Sequence, residues 1–586
     1  MKWDLTKVFK TQEDFNEAYK ELSSYPEKAK SYEGKLNDSK SFKEFYVMQR
    51  EFEEKASRLY LYAHLQSDLN KKDVEKAALV QQCMVLLHMY MQSISFEEPE
   101  ILSIGFDRIK ELLSENPEVE EFRFNFEKLF HQNEHILDKK QEELMSIVSP
   151  ALRPGSELYS MLSTADGNPS EIEYDGKKVF VTQGNWTSLV EFAKNEIDRQ
   201  HVFEAIFEKY EKNKNTYAKI YDSILESNKA IQKARGYKSI LEAHLFGNNI
   251  PTSVYETLVE VAGSQNESLK RYIKLKEKYL KLDEYRTYHR FLKLATSDKK
   301  YSYQDAKELF FKSIEKFDDE FKQYAHSALE DGYVDVYEQD GKRTGAYSSG
   351  VCNMHPFILL NYTETLSDVF TVAHEAGHSI HSLYAGDAQP PMLQNYTIFV
   401  AEIASTFNEH NLLDYLMSSG TLSKEEQITL LQTSIDNIMG TFYRQTLFAE
   451  YELIASRLKE QDKPINHQVL SNIMVELYQK YYGLDITKEK VKQYVWAYIP
   501  HLFGTPFYVY QYATSFAASF KLYQDVKDNV PGAFERYTNL LKAGGSKYPV
   551  IEAKEAGVDF TKRETFEAVT NRLTELVDML EKLLEE

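Results

Sequence analysis

Cysteine is nearly missing: Cys83 and Cys352 are the two in 586 residues. No disulfide framework can be read from that count, and it suits a reducing compartment. Cys352 is read as a buried residue rather than a catalytic thiol. Proline and glycine are also scarce, 15 and 23 in the whole chain, which argues against a many-turned β architecture and for long helices. No apolar run approaches the roughly eighteen residues of a membrane span. The opening Met1-Lys-Trp-Asp-Leu-Thr lacks the apolar core of a signal peptide. A cytoplasmic protein with no membrane partner is expected. Positive charge is in deficit, 70 Lys and Arg against 91 Asp and Glu, for a formal net charge of −21. That surface repels phosphate backbones, so no nucleic-acid partner is expected.

What is present is helical periodicity. Apolar residues recur at three- and four-residue spacing from about Glu13 to Leu144, as in Phe42, Phe45, Tyr46 and Met48 to Phe52. Pro99 and Pro117 mark helix junctions. The pattern first breaks at Glu171-Ile-Glu-Tyr and Lys178-Val-Phe-Val-Thr, which flank Asp175-Gly176 as a hairpin would. Helical sequence resumes from Ser188. A second hairpin-like stretch pairs Tyr333-Val-Asp-Val-Tyr with Gly345-Ala-Tyr-Ser-Ser-Gly350 around Asp340-Gly341. The apolar run Pro356-Phe-Ile-Leu-Leu-Asn361 follows, then a helix from near Leu366. The expected division is a helical region over 1–110, a helical region ending in a hairpin over 111–195, and a catalytic region over 196–586. The fold class is mainly α, with small sheet elements near the site.

The chemistry concentrates in Thr371-Val-Ala-His374-Glu375-Ala-Gly-His378-Ser-Ile-His381. On a helix, residues four apart lie about 40° apart around the axis and roughly 6 Å along it. His374 and His378 can therefore converge on one metal ion. Glu375 stands beside the first ligand, where a general base must be to reach the attacking water. Catalytic zinc needs three protein ligands and one open position. Glu402 supplies the third, set among Val400, Ala401, Ile403 and Ala404, where a lone carboxylate is costly unless paired or metal-bound. The Gly386–Pro391 loop can fold the two helices side by side. Ser405 and Glu409 share the Glu402 face, and either can orient a ligating imidazole. His381, seven residues beyond His374, is read as a cleft-lining or core histidine. One Zn2+ is the expected cofactor, although two His and one Glu also accept cobalt or manganese.

These stretches, with Phe399-Val-Ala-Glu-Ile-Ala-Ser-Thr-Phe-Asn-Glu409, resemble the oligoendopeptidase F group of the thimet-like oligopeptidases. The likeness runs along nearly the whole chain. It includes Trp3-Asp-Leu, Ala234-Arg-Gly-Tyr-Lys-Ser, Leu245-Phe-Gly-Asn-Asn-Ile250, Gly345-Ala-Tyr-Ser, Ala543-Gly-Gly-Ser546 and Ala556-Gly-Val-Asp559. The resemblance implies an ellipsoidal, multi-helix zincin-type peptidase with a deep central channel that admits short unstructured peptides, and a zinc ion on the channel floor. It also implies that His501 and a tyrosine among Tyr508, Tyr510 and Tyr512 assist at the scissile carbonyl. The spacing from His501 to the first tyrosine departs from the thimet oligopeptidase pattern, which leaves the choice of tyrosine open.

Read by itself, the Phe507-Tyr-Val-Tyr-Gln-Tyr run offers phenols that can donate to an oxyanion, as can an imidazolium at His501. Its alternative is an aromatic core helix. Gly345, Ala346 and Tyr347 can form an edge strand with which an extended peptide pairs; the alternative there is a plain hairpin. The reaction expected is hydrolysis of internal bonds in short peptides, the water activated by zinc and Glu375, with His501 and Tyr508 at the oxyanion. An exopeptidase would need a charged anchor for a substrate terminus. A peptide-binding helical protein would have no need of Glu375. The oligomeric state is open between monomer and homodimer.

Overall fold

Helix starts are written into the sequence as capping boxes. Thr11 with Asp14, Ser302 with Asp305, Thr365 with Asp368 and Ser423 with Glu426 each exchange side-chain and backbone hydrogen bonds across a first turn. These satisfy amides that have no partner inside the helix. The computed structural model, which describes residues 2–152 and 154–586, is accordingly mainly α-helical, with five short strands among the described residues. No helix among them is long and apolar enough to cross a membrane.

Contacts divide the chain into two compact units. The first gathers Met1–Glu134, Asp298–Ser419 and Leu522–Val558; the second gathers His135–Ser297, Gly420–Lys521 and Asp559–Glu586. In the first unit the long helix α1 (Ser39–Leu69) buries Phe42, Phe45, Tyr46, Phe52, Leu59 and Leu65 on one face. Each such side chain contributes about 1.5–3 kcal/mol when fully buried. Phe357 and Leu359 join the same core. The Trp3 indole N–H donates to the Ile358 carbonyl at 2.8 Å and ties the start of the chain to that strand.

The strands form two sheets. In the second unit β1 (Ser170–Tyr174) and β2 (Lys177–Val181) pair antiparallel, and Asp175 and Gly176 turn between them with φ of 49° and 74°. Two successive positive φ values are what a type I′ hairpin turn requires.

In the first unit β3 (Val334–Asp335), β4 (Tyr347–Ser349) and β5 (Phe357–Leu359) stand in the order β3-β5-β4. This corrects the second expected hairpin, because β3 and β4 do not pair. Instead β3 runs parallel to β5 through Val334 and Ile358, and β4 antiparallel to it through Ser348 and Ile358. The cause lies in the connection. Lys342 is buried there, donating to the Asp335 carboxylate at 2.6 Å and to the Tyr337 carbonyl at 2.7 Å. A buried cation with these partners coils the segment instead of extending it. β5, apolar on both faces, takes the centre, and β4 is left at an edge.

Helices α2 (Leu366–Ala388) and α3 (Ile398–Ser418) carry the candidate site and pack on one another. They meet tightly at Gly377, where an added Cβ would lie 2.6 Å from the Ala404 carbonyl oxygen and 2.6 Å from the Ser405 Cα. Both obstacles are backbone and cannot swing away. Gly377→Ala is therefore expected to push the helices apart and cost about 1–3 kcal/mol of stability. Thermal unfolding of the purified variant measures this; an unchanged midpoint would remove the close approach as a constraint.

Candidate active site

The α2 helix aims His374 and His378 the same way, and α3 brings Glu402 to meet them. The two Nε2 atoms stand 3.2 Å apart, and Glu402 Oε2 lies 3.4 Å from His374 Nε2 and 3.6 Å from His378 Nε2. Donors sharing a tetrahedral ion at about 2.0–2.1 Å lie roughly 3.3 Å from one another. Among the described residues this is the cluster of three His, Cys, Asp or Glu able to hold a metal.

Charge supports the same fit. Glu375, Glu402 and Glu409 all act on His374, an excess of negative charge that a divalent cation would offset. Burial opposes a charge on His374, but the Glu409 hydrogen bond and the neighbouring carboxylates outweigh it and raise the imidazole to about 9. Burial and the charge of His374 push His378 down.

The supporting contacts differ in part from the expected ones. Glu409 takes the Nδ1 of His374, which fixes the ring and leaves Nε2 for the ion. Ser405 does not touch an imidazole. Its hydroxyl donates to Glu402 Oε2 at 2.9 Å and to the Glu402 carbonyl at 3.0 Å, because three residues along a helix put it under that carboxylate. His381 is buried and stacks on Tyr396 at 3.6 Å between ring centroids, with neither ring nitrogen hydrogen-bonded, and it is not among the three metal-cluster residues.

Glu375 is 5% exposed, and burial pushes its carboxyl up to about 7. Its Oε2 is buried with no protein partner. The Ser348 backbone amide of β4 faces the same carboxyl and partly offsets the rise. The edge strand thus crosses α2 beside the candidate base, and Ser348 Oγ also meets Ser379 Oγ at 2.8 Å. A polar cavity of about 550 Å³ adjoins it, lined by Ser348, Ser349, Gly350, Ser382 and Tyr396 among others.

Of the residues proposed to meet substrate here, Gly345 has a φ of 84° and its carbonyl accepts from Asn361 at 2.7 Å. Ala346 leads into β4. The Tyr347 hydroxyl donates to Asp68 at 2.6 Å, so its side chain braces the strand against α1.

In the second unit, α4 (Arg444–Glu460) holds the segment before Tyr508, and Tyr510 starts a helix that includes Tyr512. His501 and Tyr508 lie parallel at 5.9 Å between centroids, and Tyr512 stands edge-on to both. All three are half-buried. Burial, then the charge of Arg444, lowers the His501 pKa. Tyr510, named with Tyr508 and Tyr512 as a tyrosine that could meet the substrate at the scissile carbonyl, is instead 2% exposed and packed on Tyr255 in the core.

A residue the motif search missed holds this segment. Glu452 accepts from the Phe507 amide at 2.7 Å, where Phe507 sits at a φ of 57° just before Tyr508. Burial pushes Glu452 up to about 8. Its one signal in sequence is an acid on the apolar face of a helix, among Phe448, Tyr451 and Ala455. Cys83 and Cys352 are both buried with thiols pushed up to about 12, which closes the thiol alternative.

Comparison with known proteins agrees with this geometry. The model of peptidase family M3 matches residues 190–571, across the whole candidate site, and that of oligopeptidase F matches residues 100–167. The chain belongs to peptidase family M3. It is a metallo-oligopeptidase of that family. Oligopeptidase PepF of Bacillus subtilis (strain 168) is 34% identical, over 99% of this chain and 87% of its own. The solved structure of oligoendopeptidase-F from Enterococcus faecium is similar with a TM-score of 0.74 and 28% identity, covering 98% of this chain and 99% of its own. A solved chain from Chlamydophila abortus reaches a TM-score of 0.90 at 30% identity, over 99% of this chain and 98% of that one.

Proposed function

We propose that the chain is a zinc-dependent endopeptidase that hydrolyses internal bonds of short, unstructured oligopeptides. One observation carries the reading. Three donors of the right kind converge at 3.2–3.6 Å beside a buried carboxylate that has one oxygen unspent. His374, His378 and Glu402 would hold the ion. Bound zinc supplies a Lewis acid for the scissile carbonyl and makes a water acidic at neutral pH.

The remaining work belongs to the chain. Glu375 takes the proton of the attacking water on its free oxygen and returns it to the leaving amine. Glu409 holds His374 in one tautomer and orientation, and Ser405 steadies Glu402. Strand β4 offers an edge to an extended peptide, so affinity comes from backbone pairing with little demand on sequence. In the second unit, His501 and Tyr508 present hydrogen-bond donors of the kind an oxyanion needs, each worth a few kcal/mol when preorganised. The oligopeptidase and oligoendopeptidase names of the relatives support the substrate class. Two buried, unpaired cysteines are in keeping with a cytoplasmic setting.

The test is hydrolysis of an internally quenched peptide blocked at both ends, before and after chelation and zinc add-back. Cleavage at internal bonds, abolished by chelator and restored by zinc, is expected. Cleavage confined to peptides with a free terminus would replace the reading with an exopeptidase, and none at all by zinc-loaded protein with a binding protein.

A further inference from the structure

The second unit contains a cavity of about 310 Å³ into which three cationic side chains from distant stretches converge. Arg290 comes from the short 3-10 turn Thr287–Phe291, Arg444 from the start of α4, and Lys492 from the turn Lys492–Tyr494. None of the three has a carboxylate oxygen within 4.0 Å among the described residues. Arg444 Nε is buried with no hydrogen-bond partner at all. The Lys492 ammonium lies over ring faces, Tyr478 at 5.1 Å, Phe207 at 5.4 Å and Phe203 at 5.8 Å.

Two of the acids nearby already accept hydrogen bonds from neutral groups. Asp436, on the cavity wall, accepts from the Tyr272 hydroxyl at 2.7 Å and from the Gln432 amide at 3.2 Å. Glu489 accepts from the Thr287 amide at 2.9 Å and the Thr287 hydroxyl at 2.5 Å. Glu191 is half-buried on the wall, and Lys293 adds a fourth positive charge. Burial and mutual repulsion hold Arg290 at about 10 and Lys492 far below its ordinary value. Arg290 and Arg444 are half-buried and Lys492 is buried. Glu489 attracts Lys492 from a distance but pairs with none of the three. Such crowded like charges are costly unless something negative binds.

The geometry points to a binding site for a small organic oxyanion, its carboxylate or phosphate gripped by Arg290, Arg444 and Lys492. Guanidinium forks match such groups with two parallel hydrogen bonds. The volume is several times that of one halide ion. Its other walls, Tyr285, Tyr478, Tyr482, Phe291 and Met439, suit an aromatic or aliphatic body. No residue of the metal cluster enters the site, and its one link to the His501 group is the charge of Arg444, so binding is read apart from hydrolysis.

Calorimetric titration of the full chain tests it, with benzoate and phenyl phosphate as probes and benzamide and chloride as controls. Saturable binding of at least one anionic probe with a Kd under about 10 mM is expected, with benzamide silent. Benzoate against phenyl phosphate tells a carboxylate site from a phosphate site. Arg444→Lys keeps the charge and loses the fork, so about tenfold weaker binding is expected; Arg290→Gln with Arg444→Gln should abolish it. No saturable binding by wild-type protein, binding of benzamide or chloride as tight as the anionic probes, or affinity unchanged in a folded double variant would each overturn the site. If the double variant fails to fold, Arg444→Lys and the wild-type titration decide.

Discussion

Glu375→Gln is expected to keep its metal and lose about 10²–10⁴-fold in kcat. Glutamine has the shape of glutamate and the same buried place on α2, so the fold and the donors of His374, His378 and Glu402 are left as they are. What disappears is the capacity to take a proton on the buried oxygen that has no protein partner. Since that transfer belongs to the transition state, KM should move little while kcat/KM falls with kcat. Glu375→Asp separates base from position: it retains a carboxylate but draws it back by one methylene, and should recover only part of the loss. The measurement is kcat and KM on a quenched peptide, with metal content determined on the same sample. A fully loaded Glu375→Gln protein with activity within tenfold of wild type would take the base role away from this residue.

Much of that site is legible in sequence because helix geometry is local. Four-residue spacing puts His374 and His378 on one face wherever the helix lies, and the Thr365–Asp368 capping box fixes where α2 begins. Glu402 is legible for a different reason: a carboxylate between apolar neighbours demands a partner. Long-range choices are not written that way. Strand order β3-β5-β4 depends on a buried Lys342 seven residues from its Asp335, and a turn dipeptide at Asp340-Gly341 says nothing of which strands it will serve. Tyr510 and Tyr512 look alike in the sequence, yet two residues of helix turn one into the core against Tyr255 and leave the other beside His501. The same blindness covers Arg290, Arg444 and Lys492, ordinary surface residues by type, which only tertiary contacts bring to one cavity. Compact units built from three stretches each cannot be seen by scanning for changes of composition.

Removing the third ligand should be the more damaging change, because it acts on every function of the centre at once. A site of four ligands binds zinc with roughly 10–16 kcal/mol of apparent free energy, so one ligand accounts for about 3 kcal/mol, or ~10²-fold in affinity. Glu402→Ala forfeits that share, and it also leaves the two imidazoles without the carboxylate 3.4 and 3.6 Å away. Activity at trace metal should vanish and return in part when zinc is added in excess, which a base variant such as Glu375→Gln cannot do. Glu409→Gln supplies the graded comparison. It leaves the donor set whole but replaces a carboxylate on His374 Nδ1 by an amide, and a change of that kind lowers metal affinity by about 10–100-fold. Titrating each protein with a chelator should therefore order them wild type, Glu409→Gln, Glu402→Ala from tightest to weakest. Equal chelator midpoints for Glu402→Ala and wild type would place the third ligand elsewhere, and equal midpoints for Glu409→Gln and wild type would leave the His374 contact as packing alone.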